Sequence, residues 1–201
     1  MTFVRHGATE WNASKRFQGQ SDVPLSDAGR AQARALSDAL ALVPFTRAYA
    51  SDLSRALDTA RAIARPHGLA VASDPRLREF NFGDWEGLTW THILERWPEL
   101  AAQPYTEARL YHPRGGEAFD DVVARATAFL HDLRVLEDER VLVVTHAGIL
   151  HAIVEAFGPA LRGLPDHPLV FATASITRVA MEAGGPRLIT LNDVDHLNPA
   201  A

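Results

Sequence analysis

Arg5, His6 and Gly7 follow Phe3 and Val4 and open a polar stretch, "ATEWN". A neutral imidazole is a nucleophile toward phosphorus, and a planar guanidinium grips phosphate or carboxylate oxygens through a fork of donors. Read alone, the triplet fits a solvated loop as well as a site. Three further residues complement it: Arg55 in "SDLSRALDTA", Glu79 in "LREFNFGDWEG" and His146 in "VVTHAGIL". Arg5 and Arg55 suit the equatorial oxygens of a transferring phosphoryl group. A protonated Glu79 can deliver its proton to a leaving oxygen. Gly7 lets the backbone approach closely, and helix N-termini near Arg55 and Gly148 add N–H donors.

These residues are far apart in the chain, so secondary structure must bring them together. Phe3 and Val4 predict a short buried strand. "PLSDAGRAQARALSDALALVP" predicts a helix with Ser26 as N-cap and Pro44 as its stop. "RAYAS" (47–51) and "LAVAS" (69–73) read as strands. Between them Leu53, Ala56, Leu57, Ala60, Ile63 and Ala64 recur at helical spacing, up to "RPHG". "LREFNFGDWEGLTW" reads as a loop, Thr89 to Trp97 as a short helix, and "AAQPYTEARLYHPRGGE" as irregular. Phe119, Val122, Val123, Ala126, Phe129, Leu130 and Leu133 mark a long amphipathic helix. "RVLVVT" is a continuous apolar run, expected of a central strand covered on both faces. "GILHAIVEAF" is a helix ended by Gly158-Pro159, and a Gly-Gly-Pro turn predicts a terminal hairpin. The alternation predicts a three-layer α/β/α sandwich, with a mostly parallel central sheet and an antiparallel edge strand. It is read as a single domain over 1–201. Ligands of such sheets bind outside the carboxyl ends of the strands. His6, Arg55, Glu79 and His146 each follow a predicted strand.

Composition narrows the classes. The 201 residues suffice for one core, and a net charge of −5 favours neither nucleic acid nor an anionic membrane surface. There is no cysteine, which excludes thiol nucleophiles and disulfides. Lys15 is the only lysine; every other cationic side chain that is not histidine is arginine. The early first strand leaves no room for a signal peptide, and no apolar run approaches the ~20 residues of a membrane span, so a cytoplasmic protein is expected.

Alternatives stand beside each candidate. His146 at the end of a buried strand reads equally as a satisfied core histidine. Arg55 could cap a neighbouring carbonyl. Asp84 and Glu86 share Glu79's loop and compete for the acid role. Phe80, Phe82 and Trp85 read as packing, and His67, His92, His112, His131, His151, His167 and His196 as solvated or structural. His6 and His146 lack a third ligand at zinc spacing, so no metal is expected.

The stretches "VRHGATEWN", "FQGQSDVPLSDAGRAQA", "SDLSRALDTA", "LREFNFGDWEG", "GGE" (115–117) and "VVTHAGIL", in this order from residue 3 to about 155, resemble the histidine phosphatase superfamily, also called phosphoglycerate mutase-like. The resemblance implies that His6 is the nucleophile and that Arg5, Arg55 and His146 bind phosphate. It makes Glu79 the proton donor and places Asn12 on the phosphoryl group. Gln18, Gly19 and Ala147 become substrate-contacting positions. It implies a metal-independent phosphomonoesterase of histidine acid phosphatase type, with no cofactor and a small phosphomonoester as partner; a homodimer is compatible with it. The resembling mutases carry a longer, strongly basic insertion after the Glu-containing loop. Here that region offers only Arg109, Arg114 and His112, which favours hydrolysis over transfer. Tyr105, Arg109, Tyr111, His112 and Arg114 are expected to shape specificity. The alternatives are a cofactor-dependent phosphoglycerate mutase, a phosphohistidine protein phosphatase and an inactive phosphate-binding module.

Overall fold

A computed structural model describes residues 1–102, 113–133, 139–165 and 169–198. Six strands, β1 (Thr2–Arg5), β2 (Arg47–Ala50), β3 (Val71–Ser73), β4 (Val141–Thr145), β5 (Ile176–Glu182) and β6 (Gly185–Asp193), form one sheet in the order β3-β2-β4-β1-β5-β6. The pairs β3–β2, β2–β4 and β4–β1 are parallel. The hairpin β5–β6 supplies the antiparallel edge, with β5 running against β1. This is the predicted mostly parallel sheet.

Period-2 alternation explains the layers. Phe3, Val141 and Val143 enter one apolar cluster, with Phe129, Ile149 and Ile153. Their neighbours Val4, Leu142 and Val144 enter a second, with Leu36, Leu40 and Ile63. The first cluster is roofed by α5 (Phe119–Leu133) and α6 (Ala147–Phe157), the second by α2 (Asp27–Leu40) and α3 (Ser54–Ala64). All five residues of β4 are buried, as its unbroken apolar run requires. Each large aliphatic or aromatic side chain so buried contributes about 1.5–3 kcal/mol.

The helix starts follow local chemistry. Ser26 caps α2 by accepting from the Gly29 N–H at 3.1 Å. Thr89 caps α4 (Trp90–Arg96) in a capping box with His92. A one-turn helix, α1 (Glu10–Ala13), is absent from the sequence reading. Four residues show no periodicity, and only the Thr9–Asn12 capping box holds it. The third strand is shorter than "LAVAS", covering Val71–Ser73 alone.

Parallel register aligns the strand ends. Arg5 sits opposite Thr145, and Ala50 opposite Val144. The His6 N–H donates to the Thr145 carbonyl at 2.9 Å, and the Ser51 N–H to that of Val144 at 3.1 Å. The chain therefore leaves β1, β2 and β4 side by side, at residues 6, 51 and 146. Tyr105, Arg109, Tyr111, His112 and His167 lie outside the described residues. Among those described, no helix is long and apolar enough to cross a membrane.

Candidate active site

A cleft of about 340 Å³ opens at these strand ends. Arg5, His6, Asn12, Gln18, Gly19, Arg55 and Glu79 line it, together with Trp11, Lys15, Arg16, Phe17 and Phe82. The His6 imidazole is 2% exposed, and its Nδ1 lies 2.7 Å from the Gly7 carbonyl. A carbonyl only accepts, so in the neutral ring the proton resides on Nδ1 and Nε2 keeps its lone pair. The turn carrying His6 is tight. A Cβ on Gly7 would meet the Gly29 carbonyl at 2.5 Å, so glycine is required where the loop crosses α2. The Gly7 N–H donates to Thr59 Oγ1 at 3.2 Å, and the His6 carbonyl accepts from Ala174 N–H at 3.0 Å.

His146 is fully buried at the N-cap of α6, with its ring centroid 5.0 Å from that of His6. Among the described residues, neither of its ring nitrogens has a hydrogen-bond partner, nor does Nε of Arg5 or of Arg55. Buried polar groups without partners are rare and costly. The Nε–H of Arg5, the Nε–H of Arg55 and the single ring N–H of neutral His146 make a ready set of three donors for an oxyanion. His146 is thus not a satisfied core histidine, although it stands behind the cleft lining rather than in it. Burial holds the His6 imidazole well below its ordinary pKa, followed by the positive charges of Arg55 and Arg5; the Gly7 carbonyl opposes them. Burial does the same to His146, helped by Arg55, His6, Arg5 and Arg125. Both rings are neutral at pH 7.

The arginines have two duties. Arg5 donates Nη1 to the Phe171 carbonyl at 2.6 Å. Arg55, 0% exposed, donates Nη1 to the Ser21 carbonyl at 2.8 Å and Nη2 to that of Gly19 at 2.7 Å. It does cap carbonyls, and in doing so ties the 18–21 loop to the start of α3. Burial lowers its pKa, while Glu79, Asp22 and Glu86 oppose that shift.

Among the three competing carboxylates only Glu79 lines the cleft. Glu86 is consumed by the loop: it accepts from the N–H groups of Gln20, Ser21 and Phe82 and from the Ser21 hydroxyl. Asp84 is exposed. Glu79 accepts from the Phe80 N–H at 2.9 Å and from the Gly148 N–H at 3.3 Å. The first turn of α6 therefore serves this carboxylate. A Cβ on Gly148 would stand 2.3 Å from Glu79 Oε1, so only glycine lets the two meet.

Asn12 Oδ1 accepts from the Thr9 N–H at 3.0 Å, which turns its amide nitrogen outward as a donor. Gln18 Oε1 accepts from the Thr9 hydroxyl at 2.9 Å. Gly19 has φ 52°, and a Cβ there would meet Glu86 Oε1 at 1.9 Å. Ala147 is not among the lining residues; its methyl packs on the core beneath α6. Phe82 joins the lining, while Phe80 and Trp85 are buried as packing. Sequence reasoning missed Arg125. It donates to the carbonyls of Arg76, Arg78 and Glu79 at 2.6–3.0 Å, and is paired with Glu117, which accepts from the Asn81 N–H. Its signal was a charge beside the apolar stripe of Val122, Ala126 and Phe129.

A mostly parallel α/β sheet that carries two neutral imidazoles, two arginines and a carboxylate at its strand ends defines a phosphate-handling enzyme. The chain matches the histidine phosphatase superfamily (branch 1) over residues 1–194, and it belongs to that family. It is 39% identical over 173 residues to a glucosyl-3-phosphoglycerate phosphatase of Mycolicibacterium vanbaalenii, covering 82% of this chain and 75% of the relative. A probable phosphoglycerate mutase of an Enterobacter species is 34% identical over 210 residues, covering 98% and 94%. The solved structure of a mycobacterial glucosyl-3-phosphoglycerate phosphatase complexed with VO3 superposes with a TM-score of 0.82 at 34% identity, covering 96% of this chain and 98% of that one.

Proposed function

We propose that this protein hydrolyses small phosphorylated metabolites through a phosphohistidine at His6, without a metal. The observation that carries the reading is the His6 ring: its proton is held on Nδ1 by the Gly7 carbonyl, and it is buried beside Arg5, Arg55 and His146. In the first half-reaction Nε2 attacks phosphorus and the ester P–O bond breaks. Glu79 gives its proton to the leaving oxygen. Arg5, Arg55, His146 and the Asn12 amide donate to the phosphoryl oxygens as charge spreads over them. In the second, water attacks the phosphoryl group, its proton passes to Glu79, the P–N bond breaks and phosphate leaves. Gln18 and Gly19 shape the wall on the leaving-group side.

Glucosyl-3-phosphoglycerate, named for two of the similar proteins, is a small phosphomonoester carrying a carboxylate. It sets the size and chemistry of substrate proposed here. Rapid quenching with labelled phosphomonoester should trap an acid-labile, base-stable adduct on the wild-type chain and none on His6→Ala. With 3-phosphoglycerate, phosphate release should exceed isomerisation to 2-phosphoglycerate. Label persisting on His6→Ala would move the nucleophile elsewhere, and faster isomerisation would make the protein a mutase.

A further inference from the structure

The cleft has an outer wall that phosphoryl transfer does not use. One segment supplies it: Trp11, Lys15, Arg16 and Phe17. Among the described residues Glu79 is the single acidic one in the lining, against four cations. Arg55 is buried and Arg5 half-buried, both in contact with backbone carbonyls, whereas Lys15 and Arg16 are exposed at the mouth. Arg16 is anchored, donating Nη1 to the Gly87 carbonyl at 2.6 Å. Among the described residues, no carboxylate pairs with either Lys15 or Arg16.

Lys15 is unusual twice over. It is the chain's only lysine among 20 cationic lysine and arginine side chains. It also has φ 52°, a left-handed conformation that L side chains disfavour and that glycine or asparagine would adopt with less strain. The surroundings impose that conformation. The Lys15 N–H donates to the Asn12 carbonyl at 3.2 Å, and the Arg16 N–H to that of Trp11 at 2.8 Å. Trp11 in turn packs against Gly87, where a Cβ would lie 3.3 Å from its ring. A rigid turn thus holds a compact, rotatable ammonium at the mouth of a cleft small enough for one ligand to reach both ends.

We propose that Lys15, with Arg16 beside it, forms a second anion subsite that selects phosphomonoesters bearing a carboxylate on the leaving group. A phosphoryl dianion satisfies the inner donors, and a carboxylate on the same molecule meets the outer cations. The proposal rests on the phosphatase reading, and its test separates the two. 3-Phosphoglycerate and glycerol 3-phosphate differ by a carboxylate against a hydroxymethyl group. The ratio of their kcat/KM values should fall roughly fivefold in Lys15→Met, as expected for a partly exposed ion pair, and recover in Lys15→Arg. The sole lysine also gives a readout independent of turnover. On His6→Ala, 3-phosphoglycerate should protect Lys15 from N-hydroxysuccinimidyl acetate, read by peptide mass spectrometry, and glycerol 3-phosphate should protect it less. An unchanged ratio in Lys15→Met, or equal acylation with both ligands, overturns the subsite and leaves hydrolysis standing. Absence of turnover with either ester overturns hydrolysis, and the protection experiment then decides the subsite alone.

Discussion

Glu79 is where residue type and surroundings separate most clearly. Three carboxylates share one loop, and their side chains are chemically near-identical. Glu86 is occupied by four donors from residues 20, 21 and 82, and Asp84 faces solvent. Glu79 alone meets both the cleft and the Gly148 N–H. If it protonates the leaving oxygen, the cost of losing it must depend on how much that oxygen needs a proton. Glu79→Gln should slow phosphorylation by alkyl phosphates roughly 10²–10⁴-fold and by p-nitrophenyl phosphate far less, read as single-turnover burst rates. Equal slowing of both would pass the acid role to another group. The sequence could nominate Glu79 only together with its rivals, because a hydrogen bond to a residue 69 positions away leaves no local pattern.

At the scale of elements, the loop from residue 76 to 88 has no regular sheet or α-helical pairing to fix it, and α5 does that work. Arg125 reaches across from the helix and takes three of the loop's carbonyls, while Glu117 takes the Asn81 N–H. This makes Arg125 a positioning residue for Glu79. Arg125→Met should move the carboxylate by a fraction of an ångström to an ångström. Turnover of an alkyl phosphate should then drop roughly ten- to a hundredfold more than turnover of p-nitrophenyl phosphate. A purely structural role would lower both together, so a matching fall would refute it. The helices and most strands were legible in advance, since α2, α3, α5 and α6 carry apolar stripes and β4 an unbroken apolar run. The helix α1 was not, because one turn has no period to read.

For the whole molecule, the site puts neutral imidazoles inside the core. Burial depresses the pKa of His6 and His146 well below the ordinary value, and those of His151 and His196 in the same direction. Below pH about 6.5 the unfolded chain takes up protons that the native fold refuses, so stability falls as pH drops toward the native values. His6 and His146 should each contribute a slope of up to about 1.4 kcal/mol per pH unit in that window. The Tm from calorimetry should decline between pH 7 and pH 5, and His146→Asn should flatten the decline; a flat wild-type profile would mean that the rings are not held neutral. The sequence by itself determined the alternation of strands and helices, the two-faced sheet and the residue types available at the strand ends, because those depend on periodicity and on short-range capping. Only the tertiary structure decided which carboxylate meets the cleft, that His146 lacks a hydrogen-bond partner among the described residues, that Arg55 both caps a loop and lines the site, and that Lys15 stands at the mouth. Each of those facts depends on which segments, tens of residues apart in the chain, come together at the sheet ends, and parallel register, not local sequence, sets which of them meet.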